Sequence, residues 1–216
     1  MAHLSVVKSL SQLREEQKYS DEVLVGSAGI AIERGSVTEI AGGPSSGKTS
    51  LSLALLAKLT AAGEICAVVD ACDSFDPSTA ALAGVQLEGL LWIKCSSRLE
   101  KAFMAADYLV QAKGFGCVWL NLAGLPERLV KMVPKTYWYR YRTRIRETPT
   151  ILLVTAEEHV TGPASQQSLV FTRERTVWSG SGRFKLLREF HLKMHSRKGF
   201  YGEAMRTRIG MDYSEV

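Results

Sequence analysis

Residues 42–49 read Gly42-Gly43-Pro44-Ser45-Ser46-Gly47-Lys48-Thr49, the pattern G-x-x-x-x-G-K-[ST]. The string constrains the fold tightly, because it works only between a buried strand and a helix. Both neighbours are present. Val37-Thr38-Glu39-Ile40-Ala41 is β-branched and apolar, as a buried strand requires. Ser50 to Leu59 carries its leucines at helical spacing. The glycines let the backbone curl so that successive N–H groups face one anion, and the following helix adds its positive end. Gly42, Gly43, Pro44, Ser45, Ser46, Gly47, Lys48, Thr49 and Ser50 are therefore the candidate phosphate-binding residues. Lys48 is expected to reach the β- and γ-phosphates of ATP, and the Thr49 hydroxyl to sit on Mg²⁺.

The rest of the chain alternates. Short apolar runs at Ile65–Asp70, Leu90–Ile93, Cys117–Leu120 and Ile151–Val154 predict strands. Between them, Asp76-Pro77 opens a helix, Leu99–Ala112 shows helical spacing, and a helix is expected from about Pro126 to Arg146, kinked or divided at Pro134. Such alternation predicts an α/β fold with a mostly parallel sheet covered on both faces. From Ser168 onward the pattern changes to strands separated by Ser/Gly turns, and an antiparallel end to the same sheet is expected. Upstream, Leu4, Val7, Leu10 and Leu13 recur every third residue, which predicts an amphipathic helix within residues 1–20 that folds back or docks on a neighbour. One domain over 21–210 and a tail at 211–216 complete the division.

Charge is uneven. The net charge is +5, with a slightly acidic first part and a basic part after residue 130 that suits a polyanion, an acidic partner or a merely solvated surface. The cysteines, Cys66, Cys72, Cys95 and Cys117, form no C-x-x-C pair and lie mostly in apolar runs. They read as thiols of a reducing compartment rather than a metal site or a disulfide framework. No apolar h-region opens the chain and no run of about 20 apolar residues follows. A cytoplasmic location without membrane contact is expected.

The order of these pieces resembles the RecA-like recombinase core. The resemblance rests on residues 43–49, on Ala67-Val68-Val69-Asp70-Ala71-Cys72-Asp73-Ser74-Phe75-Asp76-Pro77, and on Leu82-Ala83-Gly84-Val85 with Leu90-Leu91. It runs from about residue 35 to 210, specific in its first half and loose in its second. It implies a P-loop NTPase core with ATP and Mg²⁺ as cofactors, and adds Asp76 to the nucleotide site. The departures are equally specific. Cys72 stands at the family's catalytic glutamate, Asn121 at its Walker-B aspartate, Ala156 at its γ-phosphate-sensing glutamine, and Thr79 roughly at its adenine-stacking aromatic. A thiol cannot orient the attacking water as a carboxylate does. His195 and Arg197 match basic residues that reach the nucleotide of a neighbouring subunit; a solvated basic turn is the equal alternative.

A lost Walker-B acid, a brief N-terminal helix and truncated DNA loops are similar to the ImuA family, RecA-related accessories of damage-induced (SOS) translesion synthesis. That resemblance implies RecA and a polymerase-like ImuB as protein partners, and weak or absent hydrolysis. An active DNA-dependent ATPase, with Asp73 or Glu157 as the missing acid, and a regulator of RecA filaments stay open. So do DNA contact and homo-oligomerisation. Lys135 to Arg146 interleaves aromatics with basic residues. This suits a crossover helix packed on the sheet, a protein interface or a nucleic-acid surface. Glu157-Glu158-His159 reads as a loop.

Overall fold

The computed structural model describes residues 22–26, 30–146, 148–181, 183, 185–198 and 205–210. The helix expected within residues 1–20 and the tail at 211–216 lie outside these. In chain order the elements are β1 (Glu22–Val25), β2 (Ile30–Glu33), β3 (Val37–Ala41), α1 (Lys48–Ala61), β4 (Cys66–Asp70), α2 (Pro77–Leu82), β5 (Leu90–Lys94), α3 (Leu99–Ala112), β6 (Cys117–Asn121), α4 (Glu127–Lys131), α5 (Lys135–Ile145), β7 (Ile151–Ala156), β8 (Gln167–Ser179), β9 (Leu186–Lys198) and β10 (Met205–Gly210). One eight-stranded sheet runs β10-β9-β8-β3-β7-β6-β4-β5, and β1 and β2 form a separate antiparallel hairpin.

The apolar runs form central strands because each strand feeds two cores. Val68, Cys117, Trp119, Ile151 and Leu153 pack on one side with Leu55, Leu56 and Leu59 of α1. Their neighbours Val69, Val118, Leu120, Leu152 and Val154 pack on the other side with Phe103 and Ala106 of α3 and Trp138, Tyr141 and Ile145 of α5. Period-two alternation with both faces covered leaves no polar face to read in the sequence. The expected α/β architecture is therefore present, with β3, β4, β5, β6 and β7 parallel.

Two details differ from expectation, at β8 and at the β1–β2 hairpin. β8 is itself parallel to β3, so the antiparallel wing starts only at β9. As expected, the helix after β6 is divided at Pro134 into α4 and α5, because proline lacks the N–H that a continuous helix would need there. The β1–β2 hairpin was not anticipated. Its signal is the alternation Val23, Val25, Ile30 and Ile32, all buried against the α1 side, and Lys58 donates to the Leu24 carbonyl at 2.8 Å.

The aromatic–basic segment is a packed helix. Trp138 and Tyr141 are buried, and Phe103 meets the Trp138 and Tyr137 rings edge-on at 5.0 and 5.4 Å. The Tyr141 hydroxyl donates to the Phe103 carbonyl at 2.6 Å, and burial pushes its pKa far up. Arg140 and Arg144 both bond Asp107 of α3, and the Arg140 guanidinium lies 4.5 Å over Tyr137. Most rings are thus taken by the core, and stacking on bases is left to the exposed Tyr139.

Candidate nucleotide-binding site

The loop between β3 and α1 sits at the carboxyl end of the parallel strands, where open α/β sheets bind ligands. Gly42 and Gly47 are required by neighbours from the far wing of the sheet. A Cβ at Gly42 would collide with the Phe171 carbonyl of β8, and one at Gly47, at φ +93°, would lie 2.8 Å from Leu192 of β9. Gly47 caps α1 in the left-handed region, so the first helical N–H groups stay open to an anion. The buried Lys48 ammonium donates to the carbonyls of Gly42 and Gly43, the latter at 2.8 Å, and reaches Ser46 Oγ at 3.4 Å. Burial lowers its pKa, and the nearby Glu157 charge partly restores it.

A cavity of about 460 Å³ opens beside the loop, lined among others by Pro44, Ser45, Lys48, Thr49, Asp76 and Glu157. Of the other loop residues, Ser46 is buried beneath it and Ser50 is exposed on the first turn of α1. Asp76 reaches the cavity while capping α2. Its carboxylate accepts from the Ser78 and Thr79 amides at 3.2 and 3.0 Å and from the Thr79 hydroxyl. The Thr79 hydroxyl and these amides hold its pKa below the usual carboxylate range. Thr79, in the expected adenine-stacking place, lines the cavity too. His195 and Arg197 lie on β9, away from this lining, and alternate along the strand with the packed Leu192 and Met194.

The facing strand ends hold a closed polar network. Asn121, at the end of β6, donates through Nδ2 to Asp70 at 3.4 Å and Ser74 at 3.1 Å. Its Oδ1 accepts from Thr155 Oγ1 at 2.9 Å and from the Ala123 amide at 3.3 Å. Thr155 in turn accepts from Trp119 Nε1 at 2.8 Å. The fully buried Asp70 accepts the Phe75 amide at 2.7 Å. Asn121 lines the cavity, but its oxygen already accepts two hydrogen bonds from within the protein.

Cys72 is half-buried, and burial raises its thiol pKa. Asp73 lies outside the cavity lining, tied to the Ser96 amide and hydroxyl at 3.1 and 3.0 Å. The connection after β7, expected as a loop that carries Glu157, is anchored twice. The Gly42 amide donates to the Ala156 and Glu157 carbonyls, at 3.2 and 3.1 Å. Glu39, buried in β3, accepts from the Val160 and Thr161 amides at 2.7 and 2.9 Å and from Ser168 Oγ at 3.1 Å, and pairs with His159 Nδ1 at 3.0 Å. Sequence reasoning missed Glu39; its signal was an acid inside an otherwise apolar run.

Residues 13–125, more than half of the chain, match the RecA N-terminal domain. The chain belongs to that family. It is 38% identical to the RecA protein of Rhodopirellula baltica over 93 residues, covering 43% of this chain and 24% of that relative. RecA of Parvibaculum lavamentivorans is 40% identical over 99 residues, 43% of this chain and 27% of its own length. RecA of Chlorobium chlorochromatii is 43% identical over 81 residues, 38% and 23%. The alignments span about a quarter of these relatives. The RecA-family chain described here has no helix, among the described residues, that is long and apolar enough to cross a membrane.

The donor set suits a nucleotide at this level. Lys48 and Thr49 line one cavity with Pro44 and Ser45 of the loop, residue types that suit phosphates and their cation.

Proposed function

We propose that this RecA-family chain is a nucleotide-binding accessory factor, ImuA-like, acting in damage-induced translesion synthesis. It binds ATP with Mg²⁺, hydrolyses it weakly or not at all, and works in the cytoplasm through protein partners, RecA and a polymerase-like ImuB. The observation that carries the reading is the contrast across one cavity. The phosphate loop is complete, while Cys72 stands at the hydrolytic position and the Asn121 amide is consumed by Asp70, Ser74, Thr155 and Ala123. Missing electrostatic groups cost on the order of several kcal/mol each in the transition state. The connections that hold the DNA loops in the resembling recombinases are short here, residues 122–126 and 157–166, in keeping with a role centred on proteins.

In this reading the loop amides and Lys48 hold the phosphates, Thr49 faces the cation, and Asp76 borders the nucleotide. Bound ATP then acts as a structural ligand that sets the surface offered to partners. In this reading His195 and Arg197, on β9, contact the nucleotide of a neighbouring copy. One observation favours the other reading, a DNA-dependent ATPase: Glu157 puts a carboxylate in the cavity. Binding and turnover of ATP, wild type beside Lys48→Ala, with and without single-stranded DNA, decide between them. Binding that needs Lys48, with negligible turnover, supports the accessory reading, and capture of RecA or of a polymerase-like partner extends it. Turnover stimulated by single-stranded DNA overturns it.

A further inference from the structure

Three carboxylate or amide groups reach or approach the place where a phosphate-bound cation would need a protein ligand. Asn121 is spent at both ends of its amide. Asp76 is spent on capping α2. Glu157 is the exception. It lines the same cavity as Lys48 and Thr49, its charge acts on Lys48, and its carboxylate makes no hydrogen bond or ion pair to the described residues.

The backbone that carries Glu157 is held on both sides. Its own carbonyl accepts from the Gly42 amide at 3.1 Å, and Val160 and Thr161 are fastened to the buried Glu39 of the phosphate-loop strand at 2.7 and 2.9 Å. A side chain on so anchored a segment is presented to the cavity by the loop that binds the phosphates. A hard divalent cation prefers such an oxygen, and the charge count of its ligands sets its affinity.

We propose that Glu157, from the end of β7, supplies the carboxylate that faces the nucleotide's divalent cation, in place of the side chain at the end of β6. The inference rests on the nucleotide-binding reading above. It makes binding of the nucleotide dependent on the cation, since without the cation the carboxylate repels the phosphates.

The test is the affinity of the full chain for a fluorescent ATP analogue, with Mg²⁺ and with EDTA. Wild type, Glu157→Gln, Glu158→Gln and Lys48→Ala are compared, and Mn²⁺ uptake is followed by electron paramagnetic resonance. Wild type is expected to bind more tightly with Mg²⁺. Glu157→Gln is expected to cut that Mg²⁺/EDTA ratio by about tenfold or more, to weaken Mn²⁺ uptake in the nucleotide complex, and to leave the affinity in EDTA equal or higher. The neighbouring Glu158, exposed and outside the cavity lining, keeps the wild-type ratio when changed to Gln. An unchanged ratio in Glu157→Gln, while Lys48→Ala still loses binding, overturns the role of Glu157 alone. No binding by any variant, wild type included, overturns the nucleotide reading and this inference with it.

Discussion

The two walls of the candidate nucleotide cavity are built differently. On one wall, the β3–α1 loop carries the whole G-x-x-x-x-G-K-[ST] string, with glycines at 42 and 47 that the far wing of the sheet makes obligatory through Phe171 and Leu192. On the other, the ends of β4, β6 and β7 carry Asp70, Asn121 and Thr155, bonded to one another and to Ser74, with Asn121 and Ser74 on the cavity lining. In the proposed reading, binding and hydrolysis draw on separate walls of one site, and a wall relieved of catalysis can become a buried polar network, whose groups are stable only while all are satisfied.

The largest expected effect comes from trying to restore the second wall. Asn121→Asp sets a second carboxylate against the fully buried Asp70 and removes a donor from it. A loss of about 2–4 kcal/mol is expected at neutral pH, read as a lower denaturant midpoint, without a gain in turnover. An unchanged midpoint would mean that the network is not what holds this wall. On the first wall, Lys48→Ala is expected to weaken nucleotide binding by about 2 kcal/mol, roughly thirtyfold in Kd, at nearly unchanged stability. Isothermal titration calorimetry measures it.

A smaller effect is alkaline. The Lys48 pKa is lowered by burial, so its charge, and the phosphate affinity that depends on it, is present at lower pH. Both are lost as pH rises through that lowered value, before an ordinary lysine would titrate near about 10.4. Because Glu157 raises the Lys48 pKa, Glu157→Gln is expected to move the loss to lower pH. Kd measured from neutral to alkaline pH gives the sign. The smallest effect concerns thiols. Burial pushes Cys66 up to about 12 and Cys117 well above its ordinary value, and Cys72 is the one thiol not fully buried. Under native conditions one cysteine per chain, Cys72, is expected to react first with iodoacetamide, with the others following only on unfolding. Mass spectrometry of the alkylated peptides checks the order.

What the sequence determined by itself was local. The loop spacing, the apolar runs of β4 to β7, the helix opening at Asp76-Pro77 and the break at Pro134 all rest on periodicity and backbone freedom within a few residues, and those are legible in a single chain. Tertiary structure alone decided the partners. Three of the four partners of the Asn121 amide lie 34 to 51 residues away in sequence, and Glu39 clamps amides more than 120 residues downstream. β8 joined β3 in parallel although its composition suited either direction, since strand direction is set by the connection and the neighbour rather than by the residues. The rings of α5 went inward because α3 presents Phe103 and Asp107 to them. Glu157 shows the same limit most plainly. In the sequence it is one of two glutamates in a loop, and it enters the cavity because Gly42 and Glu39 hold its backbone there.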